Sequence, residues 1–71
     1  METYLIDEKE VGNYLIQMEA NEEAGVIRTT LSKTENGWRY DIVSCTHRSD
    51  RESAYEDFNN FIATAERNER R

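Results

Sequence analysis

The chain has 71 residues, a net charge of −6 from 15 acidic and 9 basic side chains, one cysteine and no proline. That length allows one domain, residues 1–71, whose folding hides roughly 60% of the surface its unfolded form exposes. A lone Cys45 and a lone His47 exclude an internal disulfide and a structural zinc site of the Cys/His kind, and a free thiol fits a reducing cytoplasm.

No apolar run approaches the length needed to span a bilayer, and Met1-Glu2-Thr3 lacks the basic start of a signal peptide. Four Tyr, two Phe and one Trp spread along the chain mark it as globular, not disordered. The charge is uneven. Residues 1–25 set seven acids (Glu2, Asp7, Glu8, Glu10, Glu19, Glu22, Glu23) against one base, Lys9, whereas residues 26–51 hold five bases against three acids. A nucleic-acid binder carries a basic footprint, so direct contact with nucleic acid or an anionic membrane is not expected. The field instead steers in a protein with a basic surface.

In chain order, Thr3-Tyr4-Leu5-Ile6 reads either as a short strand turning at Gly12-Asn13 or as part of a helix through Glu8. Tyr14, Ile16 and Met18 alternate through residues 14–20, predicting a strand that pairs with residues 26–33 across the loop 21–25. Asn36-Gly37 suits a two-residue type I′ turn, because both positions tolerate positive φ. An uninterrupted hairpin about that turn pairs Glu35 with Trp38, Lys33 with Tyr40, Leu31 with Ile42 and Ile27 with Thr46. Ile27, Thr29, Leu31, Trp38, Tyr40, Ile42 and Ser44 then share the buried face, while Asp41, Val43, Cys45 and His47 lie on the other. In the same reading Leu15 points away from the core.

Beyond the hairpin the period lengthens. Ser49 and Glu52 fit a capping box. Ala54, Tyr55, Phe58, Phe61, Ile62 and Ala65 form one apolar stripe, predicting a helix from about residue 50 to about residue 67. The expected architecture is α+β: an antiparallel sheet of three to four strands with one C-terminal amphipathic helix packed on one face.

Chemistry is harder to find. Asp41, Cys45 and His47 share a face in the simple register, but alternate residues on a strand stand about 6.5–7 Å apart with side chains parallel, so they do not converge. The carboxylate pairs Asp7/Glu8, Glu22/Glu23 and Glu56/Asp57 fall in loops or on solvated faces. Gly12, Gly25 and Gly37 read as turn residues, not as a phosphate-binding loop. No catalytic, cofactor or metal residue is assigned. The candidate site is a protein-binding surface made by Tyr4, Asp7, Glu8, Glu10, Glu19, Glu22 and Glu23. Tyr4 is the aromatic expected to be at least partly exposed, while Tyr40 and Tyr55 suit the core.

A compact acidic chain in which the hairpin Lys33-Thr34-Glu35-Asn36-Gly37-Trp38-Arg39-Tyr40 precedes one amphipathic helix resembles the small phage-encoded inhibitors known as anti-CRISPR proteins. The resemblance covers the whole chain in architecture and no specific motif, so it assigns no residue a role. It implies a stoichiometric inhibitor, working in the host cell cytoplasm, that docks on a basic nucleic-acid-handling surface of a bacterial defence complex. The alternative is a homodimeric structural or adaptor domain that pairs through a sheet edge or an uncovered face.

Overall fold

The computed structural model describes residues 3–48 and 50–70. Strands β1 (Thr3–Val11), β2 (Tyr14–Asn21), β3 (Val26–Glu35) and β4 (Trp38–His47) precede one helix, α1 (Arg51–Glu69). The strands form an antiparallel sheet in the order β1-β2-β3-β4, and the helix packs on one side of it. This is the expected α+β architecture.

Three tight turns make the meander. Asn36 (φ 53°) and Gly37 (φ 83°) both take the left-handed backbone a type I′ turn requires, and Glu35 pairs with Trp38 across them. Between β2 and β3 the Asn21 side chain accepts from Ala24 N (3.0 Å), closing the loop. The first segment is a nine-residue strand, not a helix, and it turns at Gly12-Asn13 as expected. Its alternation is masked by a bulge at Ile6: Leu5 pairs with Glu19, and the next pair is Asp7 with Met18.

A second bulge changes the faces of β4. Lys33 pairs with Tyr40 as the hairpin predicts, but Leu31 pairs with Val43, not Ile42, and Ile27 with His47, not Thr46. Ile42 is the inserted residue. Cross-strand partners share a face, so the insertion carries Val43, Cys45 and His47 to the helix side and leaves Asp41 on the open side. The expected trio of Asp41, Cys45 and His47 on one face is therefore divided.

The core lies between the helix and the strands β2 and β3. Ile16, Met18 and Thr29 are fully buried, joined by Tyr14, Ala20, Ile27 and Leu31 from the sheet and by Ala54, Phe58 and Ala65 from the helix. Tyr55, Phe61 and Ile62 pack partly buried against them, so the predicted apolar stripe is the one that docks. Alanines at 54 and 65 let the helix approach closely. The Thr29 hydroxyl donates to Ala54 O (3.4 Å), which satisfies a polar group at the centre of the interface.

The helix crosses the sheet obliquely. Its first turns lie over the row Tyr4, Ala20, Ile27 and His47, where Arg51 Nη2 donates to the Tyr4 hydroxyl (3.4 Å). Its last turn reaches the β1–β2 turn, where the Glu69 carboxylate lies so close over Gly12 (φ 58°) that a Cβ there would overlap it. This path leaves the β3–β4 hairpin tip bare. Trp38, Tyr40 and Ile42, expected in the core, are 78%, 45% and 48% exposed. Trp38 and Tyr40 do stand on the helix side, but the helix ends elsewhere. At that corner the Lys33 ammonium sits 5.4 Å from the centre of the Tyr14 ring, and its apolar stem helps to shield the tyrosine.

Asp50 caps the helix: its carboxylate accepts from Ser53 N (3.2 Å) and Ser53 Oγ (2.7 Å). Ser49, the expected cap, lies outside the described residues. The Ser53 hydroxyl and amide hold the Asp50 carboxyl below its ordinary value of 3.8. A depressed folded-state value means the stabilisation is complete above the ordinary value and fades as pH falls through the lowered one. Urea midpoints should therefore drop below about pH 4, and Asp50→Asn, which caps without titrating, should flatten that drop. An identical acid limb in the variant would assign the drop to other carboxylates.

Candidate functional site

With the helix on one side, the opposite side of the sheet is open, and its composition follows from the register. Leu5, Glu8 and Glu10 of β1 stand beside Glu19, Gln17 and Leu15 of β2. Arg28, Thr30 and Ser32 of β3 continue the rows, and Thr46, Ser44 and Asp41 of β4 end them. Acid therefore gathers on the β1–β2 half and hydroxyl groups on the β3–β4 half.

Leu15 points away from the core, as expected, yet it is only 6% exposed. Its row neighbours are Glu10 and Ser32, and the Ser32 hydroxyl donates to Leu15 O (3.3 Å). Leu15 is thus shielded by the sheet's own side chains and offers no contact point. Leu5, 48% exposed on the same side, does.

The seven candidate residues divide into three groups. Glu8, Glu10 and Glu19 share the open face. Glu8 and Glu10 project from the edge strand about 6.5–7 Å apart along the chain, and Gln17 Nε2 donates to Glu8 Oε1 (2.9 Å). Glu19 stands between Leu5 and Arg28, so one protein arginine shares its surroundings. Glu22 and Glu23 are exposed at the β2–β3 turn. Tyr4 and Asp7 are on the helix side.

Asp7 changes role. It is half-buried beside the helix and accepts from the Tyr55 hydroxyl (3.2 Å) and the Glu8 amide (2.8 Å). The Tyr55 contact ties β1 to α1, making Asp7 a structural carboxylate and not part of an acidic surface. Tyr4 is partly exposed, as expected, with its hydroxyl taken by Arg51.

Two shallow depressions flank the β2–β3 turn. One, of about 270 Å³, opens on the helix side between Tyr4, Glu22 and Arg51; the other, of about 300 Å³, opens on the far side between Thr3, Glu19 and Arg28. Each pairs an acid with an arginine at its rim.

Sequence reasoning missed one cluster. His47 Nε2 and Asp57 Oδ2 are 2.5 Å apart, both part-buried, and Cys45 stands two residues before His47 on the same side. Burial, and the Asp57 carboxylate beside it, push the Cys45 thiol above its ordinary value. A thiol held protonated is a poor nucleophile. The cluster therefore reads as a clasp fastening β4 to the helix. Its only signal was Asp57 beside the apolar stripe, ten residues beyond His47, and without the bulge the two faced apart.

Among the described residues no group of three or more His, Cys, Asp or Glu side chains is placed to hold a metal ion, and no helix is long and apolar enough to cross a membrane. Comparison of the chain with family models, curated proteins and solved structures finds no match.

Proposed function

We propose that the protein works by binding, not by catalysis, and that the open face of β1 and β2 docks on a basic protein surface. The observation that carries this reading is the placement of Glu8, Glu10 and Glu19 on one uncovered face, with the half-exposed Leu5 between Glu8 and Glu19. An exposed apolar side chain flanked by like charges has the make-up of an interface with a charged rim. The sheet holds these carboxylates in place at little entropic cost, since only side chains need ordering on docking. The net charge of −6 adds long-range steering toward a cationic partner. Against catalysis stand the raised Cys45 thiol and the separation of Asp41 from Cys45 and His47.

The narrower reading is an inhibitor, phage-encoded, that covers the basic nucleic-acid-handling surface of a bacterial CRISPR-type complex. Its support is the architectural resemblance to anti-CRISPR proteins together with the acidic face.

Replacing Glu8, Glu10 and Glu19 together with Gln should weaken partner binding roughly tenfold, about 1.4 kcal/mol, and flatten its salt dependence. All three side chains are outside the core, so the fold is kept. Unchanged affinity and salt slope would place the contact on another surface. For the narrower reading, bacteria carrying an active CRISPR-type system should lose phage immunity when they express the chain and keep it when they express the triple variant. Immunity that persists with the unaltered chain removes the inhibitor and leaves the acidic interface standing.

A further inference from the structure

The two outer strands of the sheet are guarded differently. Edge strand β1 carries the consecutive charges Asp7-Glu8-Lys9-Glu10 and a bulge at Ile6, both of which discourage another strand from adding to it. Edge strand β4 carries only Arg39 and Asp41 as full charges before its bulge at Ile42, flanked by the exposed side chains of Trp38, Tyr40 and Ile42. Its outer backbone groups face no strand of the sheet, and the exposure of Trp38, Tyr40 and Ile42 shows that the helix leaves its first half uncovered.

We propose that the protein forms a two-fold symmetric dimer in which the β4 strands of two copies pair antiparallel. Tyr40 lies on the axis, and Arg39 of each copy stands opposite Asp41 of the partner subunit. The occupant of this edge is a second copy of the same chain because the strand is self-complementary in both its hydrogen bonds and its charges.

The hydrogen-bond alternation follows from the turn. Glu35 and Trp38 close a two-residue loop as a hydrogen-bonded pair, so Lys33 and Tyr40 form the next such pair. Arg39 and Asp41 fall on either side of Tyr40, and their backbone N–H and C=O groups point outward. Within the segment before the bulge, a second β4 strand can use those groups only in registers that set Arg39 or Asp41 against Arg39 or Asp41. Setting Arg39 on Arg39, or Asp41 on Asp41, opposes like charges on the axis. The register between these two makes two Arg39–Asp41 pairs and sets Tyr40 beside Tyr40 of the partner subunit.

Side chains agree with this choice. Trp38 and Tyr40 share the helix side, where the dimer gathers them with those of the partner subunit over the corner that α1 leaves bare. The bulge at Ile42 bends the strand and confines the ladder to residues 38–42. The acidic face of β1 and β2 is at the far edge of each sheet, so pairing through β4 leaves it free, displayed twice.

Sedimentation equilibrium of the full chain at micromolar concentrations should show a dimer. Arg39→Asp and Asp41→Arg, each introducing two like-charge oppositions, should each weaken association by at least about tenfold. The double variant Arg39→Asp/Asp41→Arg recreates both opposite pairs and should recover association to within a few-fold. Both side chains are exposed, and circular dichroism checks that each variant is folded. A monomeric parent chain, single variants that associate like the parent, or a double variant no tighter than the singles would each overturn the proposal.

A crosslink tests the axis directly. Facing residues of a non-hydrogen-bonded pair have Cα atoms about 4.5 Å apart, within reach of a disulfide. Tyr40→Cys in a Cys45→Ser background should therefore form a covalent dimer under mild oxidation, while Thr46→Cys in the same background should not. Equal crosslinking at the two positions would also overturn the register. The Glu8, Glu10 and Glu19 variants leave β4 untouched, so the acidic interface and the dimer fail separately.

Discussion

Phe58→Ala should cost about 3–5 kcal/mol, the usual range for truncating a buried aromatic, and leave much of the protein unfolded at room temperature. Phe58 is buried at the middle of α1, where its ring meets the edge of Tyr55 with centroids 5.9 Å apart and planes at 77°. Such an edge-to-face contact adds roughly 0.5–1.5 kcal/mol beyond burial. Tyr55 in turn donates to Asp7, so loosening Phe58 also loosens the tie between the helix and the outer strand. Domains hold a stability margin of about 0.05–0.15 kcal/mol per residue, and at 71 residues that margin is comparable to the loss. Urea unfolding followed by circular dichroism measures it, with Asn59→Ala on the exposed side of the helix as the control. A midpoint for Phe58→Ala close to that of the control would mean the sheet does not depend on the helix for its cover.

Deleting Ile42 should leave the faces of β4 as they are and cost about 1 kcal/mol or less. Val43 then follows Asp41 directly, and an uninterrupted hairpin sets it opposite Leu31, the partner it already has. Ser44 stays opposite Thr30, Cys45 opposite Thr29 and His47 opposite Ile27, so the contact of His47 with Asp57 is kept. The deleted side chain is half exposed, so little burial goes with it. The bulge matters because Ile42 is present: an unbulged strand of the full length would turn Val43, Cys45 and His47 to the open face. Thermal unfolding gives the cost, and the rate at which Cys45 reacts with a thiol reagent reports its face, because a rotated Cys45 is exposed. A loss of several kcal/mol, or a Cys45 far more reactive than in the parent chain, would show that deletion does not simply close the bulge.

The acidic face was partly legible. Glu8 and Glu10 lie two apart and share a face as soon as residues 3–11 are known to be a strand, and Glu19 joins them through strand pairing. Asp7, placed in the same group by its charge, separates because alternation turns it toward Met18 and the Tyr55 hydroxyl. Composition records how many carboxylates a segment has. It does not record which of them the helix will cover.

The sequence by itself determined the elements: the Asn36-Gly37 turn, the alternation of Tyr14, Ile16 and Met18, and the stripe from Ala54 to Ala65 are local patterns, and local backbone preference enforces them. Only the tertiary structure decided which side of β4 meets the helix, where the helix ends and therefore which aromatics stay in water. Those outcomes depend on one inserted residue and on the angle at which a helix crosses a twisted sheet. Both are set by the balance of contacts between distant segments, and no short window of residues contains them.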